Sequence, residues 1–418
     1  MAERGHKAGG GIKRFGAAEK RMGRAMNTEE EQNQFSDFFR QLKYREDPRH
    51  PLTEEERLSG AVNPLLFWYG ENARDLPWRR QPAPYRVWVS EIMLQQTRVE
   101  AVKPYFARFM EACPDISSLA RIEEEQLMKL WEGLGYYSRA RNLKKAAQEA
   151  VSLYEGRLPA DFEKLKKLPG IGPYTAGAIA SIAYQIAVPA VDGNVMRVMM
   201  RLLADRQDIA RPDVKKQVEQ KLKGIIPKDR PGDFNQALME LGALVCVPNG
   251  SPKCGECPWE GLCLANQKGL TGEIPFKSPK KARRIEERTV FLIQSEGKTA
   301  VRKRGKKGLL AGLYEFPSLE GKLEEDQVRE RLESSLGVNR AGRNDGNDRK
   351  QILEPLPEAK HIFTHVEWHM TGWRLSVPAS DWDRLEPLFG PLIPADRRQM
   401  ETVYAIPSAF KKYYELIH

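Results

Sequence analysis

The sequence predicts a mainly α-helical N-terminal domain followed by an α+β domain, and two observations support this prediction. Apolar residues recur at three- and four-residue steps through 116–134 and 139–158, which is the period of amphipathic helices. Apolar and polar residues alternate through 289–304, and strand-like segments follow at 308–317 and 361–377. Because the strands are concentrated after the helices, we expect two separate domains of different class.

Composition and local signals mark the boundaries of these regions. The first residues are rich in Gly, Lys and Arg, which is typical of disorder, and QKGLTGEIPFKSPKKARRIEER has the Pro and basic residues of a linker. Thr53 and Glu56 match a capping box that starts a helix running toward Tyr69. A helical pattern over 324–337 interrupts the later strands. The predicted order is a basic, largely disordered extension (1–50), a helical domain (51–267), a linker (268–287) and an α+β domain (288–418).

The charge balance favours a polyanionic partner. The 418-residue chain has a net charge of +10 and a pI of about 9.2. On charge alone, an ordinary basic protein without such a partner is equally compatible. There is no apolar run near the roughly 20 residues of a membrane span, and MAERGHKAGGGIKRFG lacks the apolar core of a signal peptide. We therefore expect a cytoplasmic protein with no membrane partner, in which five cysteines do not form a disulfide framework.

The stretch LPGIGPYTAGAIA (168–180) predicts a tight turn between two helices. Gly170 and Gly172 can adopt positive φ and have no Cβ. Backbone N–H groups at the start of the second helix would then point outward, where they can bind a DNA phosphate. An interhelical turn without a ligand is the alternative that a bare G-x-G would favour.

The complete stretch resembles the helix-hairpin-helix of the DNA glycosylase superfamily that includes endonuclease III. AVPAVDGNVMRV supplies, at Asp192, the Asp that completes the motif of that superfamily. VWVSEIMLQQTRVEAV (87–102) and EGLGYYSRARNL (132–143) are similar to the MutY-type adenine DNA glycosylases, which remove adenine mispaired with 8-oxoguanine. The resemblance is strong over about residues 60–267 and weaker in the C-terminal domain.

Two carboxyl groups fit the chemistry of N-glycosidic bond cleavage. The leaving base must be protonated, and the oxocarbenium-like sugar is stabilised by a nearby anion. Glu91 lies in the apolar stretch VWVSEIML, where burial would raise its pKa, although a helical Glu more often faces solvent. Asp192 fits a turn or a helix N-cap equally well by local reasoning. The resemblance implies that Glu91 protonates N7 of adenine and Asp192 stabilises the sugar cation, with Asn194 a further candidate for orienting base or sugar.

Tyr174 occupies an informative position in the hairpin stretch. Related glycosylases that also nick the backbone carry a Lys there, which attacks the sugar and forms a Schiff base. Tyrosine has no amine for this reaction. The sequence therefore predicts a monofunctional enzyme that leaves an abasic site, with Tyr174 as a further hydrogen-bonding group near Asp192.

The resemblance also implies which residues handle the flipped base and the opposite strand. A target base must leave the duplex to reach an active site, and a side chain must fill the gap. The matching positions are Gln96, Thr97, Leu134 and Tyr136. Without the resemblance, ordinary core packing would be the preferred interpretation of Leu134 and Tyr136.

Four cysteines have the spacing C-x7-C-x2-C-x5-C: Cys246, Cys254, Cys257 and Cys263. Four thiolates on one segment can hold a [4Fe–4S] cluster or a zinc ion. The resemblance implies the [4Fe–4S] cluster, although the first gap is one residue longer than in the family. Cys113 lies far away in the sequence and is expected to be packed or free.

The C-terminal region resembles a Nudix domain in GLLAGLYEFP and EEDQVRERLESSLG. A hydrolytic Nudix domain needs an R-E-x-x-E-E helix to hold metal ions. Here Arg329, Glu330 and Glu333 match, but Ser334 replaces the last Glu. We therefore expect binding without hydrolysis.

The adenine glycosylases recognise 8-oxoguanine with a Phe-Ser-His loop in this domain. The matching residues here are Phe363, Thr364 and His365. Threonine keeps the hydroxyl of the family's serine and adds a methyl group. The resemblance therefore implies 8-oxoguanine recognition at these three residues.

The predicted function is a monofunctional adenine DNA glycosylase of base excision repair, acting as a monomer on duplex DNA with A:8-oxoguanine or A:G mismatches. In a bacterial cell, the DNA-bound enzyme would be associated with the nucleoid. One alternative is an endonuclease III-like enzyme for oxidised pyrimidines, against which Tyr174 and the C-terminal domain argue. The other is a non-catalytic DNA-lesion-binding protein, against which the presence of both Glu91 and Asp192 argues.

Overall fold

The computed structural model describes residues 51–279, 282–337 and 352–417, and the predicted extension (1–50) lies outside these residues. Before residue 279 the described chain is predominantly helical, as the sequence predicts. None of the helices in the described ranges is both long and apolar enough to cross a membrane. The α-helices of this region are α1 (Glu54–Gly60), α2 (Val62–Asn72), α3 (Pro77–Arg80), α4 (Pro84–Leu94), α5 (Val99–Ala112), α6 (Ile116–Arg121), α7 (Glu124–Leu130), α8 (Ser138–Tyr154), α9 (Phe162–Leu165), α10 (Pro173–Ala178), α11 (Gly193–Leu202), α12 (Pro212–Ile225), α13 (Pro231–Leu244) and α14 (Leu264–Gln267).

The chain divides into two compact units whose limits differ from the predicted domain limits. The described part of the first unit contains 51–92 and 157–278. The second contains 93–156 together with the described residues from 279 onward. Helices α5 to α8 therefore belong to the same compact unit as the C-terminal α+β region.

The N-terminal capping box of α1 is formed as predicted. Thr53 Oγ1 accepts a hydrogen bond from the Glu56 N–H at 3.3 Å, and Glu56 Oε2 accepts one from the Thr53 N–H at 2.9 Å. The helix does not continue unbroken to Tyr69, because α1 ends at Gly60 and α2 begins at Val62.

Two buried cores hold the helices of the two units. In the first unit, Leu65 of α2, Met199 of α11 and Leu238 of α13 are almost completely buried in one apolar cluster. In the second unit, α5 and α7 bury Phe109 and the adjacent Trp131, whose rings meet edge to face at 6.0 Å. The apolar periodicity in the sequence therefore marks the faces that these helices bury.

The C-terminal region is built on a mixed sheet, as the α+β prediction requires. The strand order is β3-β2-β1-β6-β5, with β4 paired to β1 and β7 paired to β2. Strands β1 and β6 are parallel, with Arg284 opposite Val366 and Gln294 opposite Ser376, whereas β5 and β6 are antiparallel. The elements of this region are β1 (Arg284–Ser295), β2 (Lys298–Lys303), β3 (Tyr314–Glu315), β4 (Ser318–Glu320), α15 (Glu325–Leu336), β5 (Ile352–Ile362), β6 (Val366–Ser376), α16 (Trp382–Phe389), β7 (Ile393–Ala395), α17 (Arg397–Thr402) and α18 (Lys411–Tyr414).

Each face of this sheet packs against helical segments. One face buries Trp368 with Phe410, and the other buries Phe291 with Leu332 of α15 and Phe389 of α16. The alternation of side chains along β1 and β6 supplies both cores, because successive residues point to opposite faces. The result is a helix–sheet–helix arrangement.

The predicted linker (268–287) differs from the structure at both ends. Ile274 is 1 % exposed in the core of the first unit, and the Ile209 N–H donates to Phe276 O at 3.1 Å. At the other end, β1 begins at Arg284 and pairs with β6. The charged run RIEER hides this strand in the sequence because its residues are exposed or half-buried, without the apolar alternation of a strand with one buried face.

Candidate active site

Glu91 lies near the end of α4 and is 7 % exposed. Burial raises the pKa of Glu91 to about 7; a hydrogen bond from Tyr174 and the charge of Arg79 oppose this shift, and the charge of Asp192 adds to it. A carboxyl group with this pKa is partly protonated at neutral pH and can donate a proton. The expected burial of Glu91 is therefore confirmed, while its catalytic role stays a prediction.

Tyr174 lies in the first turn of α10 and donates a hydrogen bond to Glu91 Oε2. Its hydroxyl oxygen also lies 3.7 Å from Met239 Sδ. Burial and the charges of Glu91 and Asp192 raise the pKa of Tyr174 well above its usual value, so the hydroxyl keeps its proton. Tyr174 is thus hydrogen-bonded to Glu91, one of the two predicted catalytic carboxyls. The charge of Asp192, the other one, contributes to the raised pKa of Tyr174.

Asp192 is both the N-cap of α11 and part of this site. Its Oδ1 accepts the Val195 N–H at 2.8 Å, and its Oδ2 accepts an N–H from Asn194 Nδ2, also at 2.8 Å. Burial raises the pKa of Asp192, while the hydrogen bonds from Val195 and Asn194 oppose that rise. The N-cap and the predicted catalytic assignment are compatible, because capping fixes the direction of the carboxylate.

Arg197 supports Asn194 and was missed by sequence reasoning. Its Nη2 donates to Asn194 Oδ1 at 3.0 Å and to Gly242 O at 2.8 Å, and its Nε donates to Cys246 O at 2.7 Å. Gly242 lies so close that an added Cβ would be 2.7 Å from Asn194 Cβ. The i, i+3 spacing of Asn194 and Arg197 on one helix was the available signal.

A buried ion-pair cluster beside the site was also missed. Glu240 of α13 is 1 % exposed and accepts hydrogen bonds from Arg74 Nε at 2.7 Å and Arg79 Nη2 at 2.9 Å. Burial acts to raise the pKa of Glu240, but the hydrogen bonds from the two arginines outweigh it and lower the pKa to about 2. Because the charge of Arg79 also lowers the pKa of Glu91, the cluster contributes to the electrostatics of the site. Glu240 is more than 160 residues from both arginines in the sequence, and the three residues carry no shared motif.

The hairpin before α10 confirms the predicted turn but only one of its two glycine conformations. Gly170 has φ +75°, which favours glycine. The expected positive φ at Gly172 is wrong, because this residue is the extended N-cap of α10 with φ −85°. A Cβ at Gly172 would meet no atom within 4 Å, so packing within the described chain does not require glycine there.

Two of the predicted DNA-contacting residues adopt a left-handed backbone that non-glycine residues rarely use. Gln96 has φ 58° and Tyr136 has φ 47°, and both side chains are exposed. Thr97 is half-buried next to Gln96. Leu134 is 6 % exposed, so the structure gives it the packing position that local reasoning favours. Tyr136, 45 % exposed, is the aromatic side chain of this loop that is presented to solvent.

The predicted 8-oxoguanine loop is the turn between β5 and β6. The Phe363 N–H donates to Val366 O at 2.8 Å, and the Phe363 ring packs on Trp368 with centroids 4.9 Å apart. Thr364 and His365 are exposed at the tip of the turn. Thr364 Oγ1 lies 2.9 Å from Tyr136 Oη, which brings the two predicted recognition loops of the second unit together.

Polar contacts between α7 and the C-terminal region hold these loops in the same unit. Lys129 Nζ donates to Met400 O at 2.8 Å, and Glu132 Oε1 accepts the Ile406 N–H at 2.6 Å. Glu125 Oε1 accepts a hydrogen bond from Lys303 Nζ at 2.7 Å. Three side chains of one helical segment therefore fasten it to the sheet region.

The four clustered cysteines line one cavity in the first unit. Arg201 Nη1 donates to Cys246 Sγ at 3.3 Å, and the Trp259 N–H donates to Cys257 Sγ at 3.4 Å. Burial raises the pKa of Cys263 to about 11 and also raises those of Cys254 and Cys257. A cationic partner is therefore needed to keep these sulfurs as thiolates. Cys113 is fully buried and forms no disulfide within the described chain, in line with its predicted packed position.

Two family matches cover most of the described chain. Residues 89–228 match the HhH-GPD superfamily of base excision DNA repair proteins, and residues 289–416 match the NUDIX domain. Among solved structures, the chain is similar to a thermostable thymine-DNA glycosylase, with 27 % identity, a TM-score of 0.47, and coverage of 51 % of this chain and 97 % of that one.

Curated relatives agree with these matches. The adenine DNA glycosylase of Homo sapiens is 36 % identical over 372 residues, which cover 76 % of this chain and 67 % of that protein. The adenine DNA glycosylase of Schizosaccharomyces pombe is 34 % identical, with 72 % of this chain and 78 % of that protein covered. These relatives show that the chain belongs to the adenine DNA glycosylases, the base excision repair enzymes that hydrolyse the N-glycosidic bond of adenine in DNA.

Proposed function

We propose that the enzyme excises adenine opposite 8-oxoguanine, or opposite guanine, and that its reaction stops at the abasic site. The central observation is the hydrogen-bonded pair of Glu91 and Tyr174. It combines a buried carboxyl of pKa about 7 with a hydroxyl at the position where a lyase would need an amine.

The carboxyl groups divide the chemistry between them. Protonated Glu91 donates its proton to N7 of adenine, which makes the base a better leaving group. Asp192 acts as the anion: the hydrogen bonds that it accepts from Val195 and Asn194 favour the carboxylate and oppose the effect of burial on its pKa. It stabilises the positive charge that develops on the sugar. Water then completes the hydrolysis.

Tyr174 limits the reaction to base removal. A phenol cannot form the imine through which a lysine cleaves the backbone. Its hydrogen bond to Glu91 instead fixes the orientation of the proton donor. Asn194 has a similar orienting role toward Asp192.

The second unit supplies contacts to the bases of the duplex. The exposed ring of Tyr136 fills the space left by the flipped adenine, and Gln96 and Thr97 contact the opposite strand. Leu134 supports this loop from the core. The hydroxyl of Thr364, adjacent to Tyr136, recognises 8-oxoguanine with Phe363 and His365 completing the loop.

Cys246, Cys254, Cys257 and Cys263 would hold a [4Fe–4S] cluster. They line one cavity and are accompanied by Arg201, whose hydrogen bond to Cys246 Sγ suits an anionic sulfur ligand. The choice of cluster over zinc rests on the family resemblance, in which four cysteines on one segment hold a [4Fe–4S] cluster. The bound cluster would crosslink this segment, and iron analysis with an absorbance spectrum tests its identity.

The C-terminal region would bind without hydrolysing nucleotides. Glu330 is exposed and Arg329 pairs with Glu325 at 2.7 Å, so the Nudix-like helix α15 keeps these side chains at its own surface. Ser334 supplies no carboxylate for a metal ion. A nucleotide hydrolysis assay with Mg²⁺ should therefore show no activity.

The deciding experiment compares strand cleavage in duplexes that contain A:8-oxoguanine, A:C or thymine glycol. We expect alkali-dependent breaks at the adenine of the first duplex. Breaks that appear without alkali, or only with thymine glycol, would contradict the proposal. We further propose a monomer of cytoplasmic, nucleoid-associated location, for which light scattering and fluorescence imaging are the measurements.

A further inference from the structure

Arg139, in the first turn of α8, contacts both of the left-handed turns that contain Gln96 and Tyr136. Its Nη1 donates to Met93 O at 3.1 Å and to Gln95 O at 2.6 Å, next to Gln96. Its Nη2 donates to Leu134 O at 3.0 Å and Gly135 O at 3.0 Å, beside Tyr136. One guanidinium therefore joins backbone carbonyls from two segments about 40 residues apart in sequence.

Aromatic rings fix the position of the same guanidinium. Its carbon lies 5.5 Å from the centroid of the buried Trp131 ring and 5.5 Å from that of the exposed Tyr136 ring. Trp131 Nε1 also donates to Gly135 O at 3.2 Å. The rings and the carbonyls thus hold Arg139 in one orientation.

The charge of Arg139 suits the carbonyls that surround it. Burial lowers the pKa of Arg139 to about 10, opposed by the influence of Tyr136, so the group remains a cation at neutral pH. Met93 O belongs to the C-terminal turn of α4, where the helix dipole is negative. The cation therefore caps the end of α4 as it binds the second turn.

We propose that Arg139 is a positioning residue that locks the two turns into one rigid element, so that Gln96 and Tyr136 enter the duplex together. This inference rests on the proposed function, in which both side chains contact DNA. Separate turns could relax from the left-handed backbone, because non-glycine residues in that region are strained. The hydrogen bonds of Arg139 hold both side chains in their DNA-binding positions before DNA binds.

A planar guanidinium suits this role better than an ammonium. It presents N–H groups in fixed directions, and here two of its nitrogens each serve a pair of carbonyls. Lysine would keep the charge but would donate from a single nitrogen. The Arg139→Lys variant therefore separates charge from geometry, and Arg139→Met removes both.

The experiment measures base unstacking separately from chemistry and from folding. A duplex carries the fluorescent adenine analogue 2-aminopurine opposite 8-oxoguanine, and its emission is recorded with proteins in a Glu91→Gln background that does not excise the base. Single-turnover adenine release is measured in the background with Glu91 intact. Lys145→Met, at an exposed position of the same helix, is the matched control.

We expect Arg139→Met to slow adenine release by roughly tenfold to a hundredfold, because small displacements of positioning groups have effects of that size. The unstacking signal should fall in parallel, and Arg139→Lys should show the same defect in weaker form. Affinity for undamaged duplex and the thermal midpoint should stay close to those of Lys145→Met.

Unchanged unstacking in both Arg139 variants would overturn the inference. It would also be overturned if Arg139→Lys lost undamaged-DNA affinity and thermal stability in proportion to activity, since that pattern indicates a folding role. If the parent protein released a base other than adenine, the proposed function would fail, and the same variants would be compared on the duplex that the parent cuts.

Discussion

The proposed catalytic groups of the first unit and the proposed recognition turns of the second unit are built in opposite ways. Glu91 is buried, and its neighbour Tyr174 lies half-buried against it. Gln96 and Tyr136 are exposed, and their strain lies in the backbone. The first region controls protonation by excluding water, whereas the second controls shape by holding unfavourable φ angles.

This difference shows where each region departs from the most stable arrangement. In the first unit the departure is electrostatic, since a carboxyl with a raised pKa is destabilised in its charged form. In the second unit the departure is conformational, and hydrogen bonds such as those of Arg139 compensate for it. Substitutions in the two regions should therefore change different observables.

The largest effect is expected for Glu91→Gln. Losing the proton donor should slow adenine release by about 10² to 10⁴-fold, measured in single turnovers, while duplex binding is largely retained. Loss of binding together with activity would instead indicate a structural role for Glu91.

The same variant should change the pH dependence of stability. The pKa of Glu91 in the folded state is raised to about 7. The contribution of Glu91 to the free energy of unfolding is therefore fully present below the unfolded-state pKa of 4.5, and it is lost as pH rises through about 7. Glu91→Gln should therefore be more stable than the parent above pH 8, by up to roughly 3 kcal/mol in the free energy of unfolding. Equal stability of the two proteins in denaturant titrations at that pH would contradict the buried-carboxyl interpretation.

Glu240→Gln should give the next largest effect, on stability. Removing one partner of a buried ion pair leaves uncompensated charge on Arg74 and Arg79, at a cost of roughly 3 kcal/mol. In the parent, the lowered pKa means that the contribution of Glu240 is present above about pH 4.5 and is lost as pH falls toward 2. Urea titrations at neutral and acid pH measure both effects. The control is Asp213→Asn, because the Asp213 carboxylate of the parent forms an exposed ion pair with Arg211.

A moderate effect on the pH profile is expected for Tyr174→Phe. The Tyr174 hydroxyl stabilises the carboxylate of Glu91, so its removal should raise the pKa of Glu91 further. Because the protonated form is the proposed donor, the activity that falls as pH rises through about 7 should persist to higher pH in the variant. An unshifted profile of single-turnover rates would mean that Glu91 is not the group that titrates.

The smallest effect is expected for Gln96→Gly, which relaxes the left-handed backbone. Glycine adopts φ near 58° without a Cβ clash, which should raise the free energy of unfolding by about 1 kcal/mol. Part of this gain is offset because glycine gives the unfolded chain greater conformational freedom. The thermal midpoint should stay equal or rise slightly, whereas adenine release should slow because the side chain is gone. A marked loss of stability would show that the conformation of Gln96 is not strained.

The sequence predicted those parts of the molecule in which one local pattern determines one local structure. The capping box of Thr53, the positive φ of Gly170 and the apolar setting of Glu91 all follow from neighbouring residues. The two fold classes follow from apolar periodicity in the same way. Family resemblance added roles for Asp192 and the cysteines that local reasoning leaves open.

The missed features depend on tertiary contacts between distant segments. The Met93 and Gln95 carbonyls are distant in the sequence from Arg139, and the arginines that bind Glu240 are distant from Glu240, so spacing cannot show these contacts. Strand β5 was missed because its prolines argue against a strand, but Pro355 lies on the sheet edge, where β6 is the one paired neighbour among the described strands. The grouping of α5–α8 with the sheet region likewise depends on contacts such as that of Lys129 with Met400.

The hydrogen bond between Tyr136 and Thr364 also bears on how strongly the proposed recognition turns would bind undamaged DNA. One of these two hydroxyls already donates a hydrogen bond to the other before any base is bound. A contact to a base would then exchange one hydrogen bond for another, and such an exchange changes the free energy little. Under the proposed function, ordinary base pairs would therefore gain little binding free energy from these two hydroxyls, and affinity for undamaged duplex would come mainly from salt-sensitive phosphate contacts.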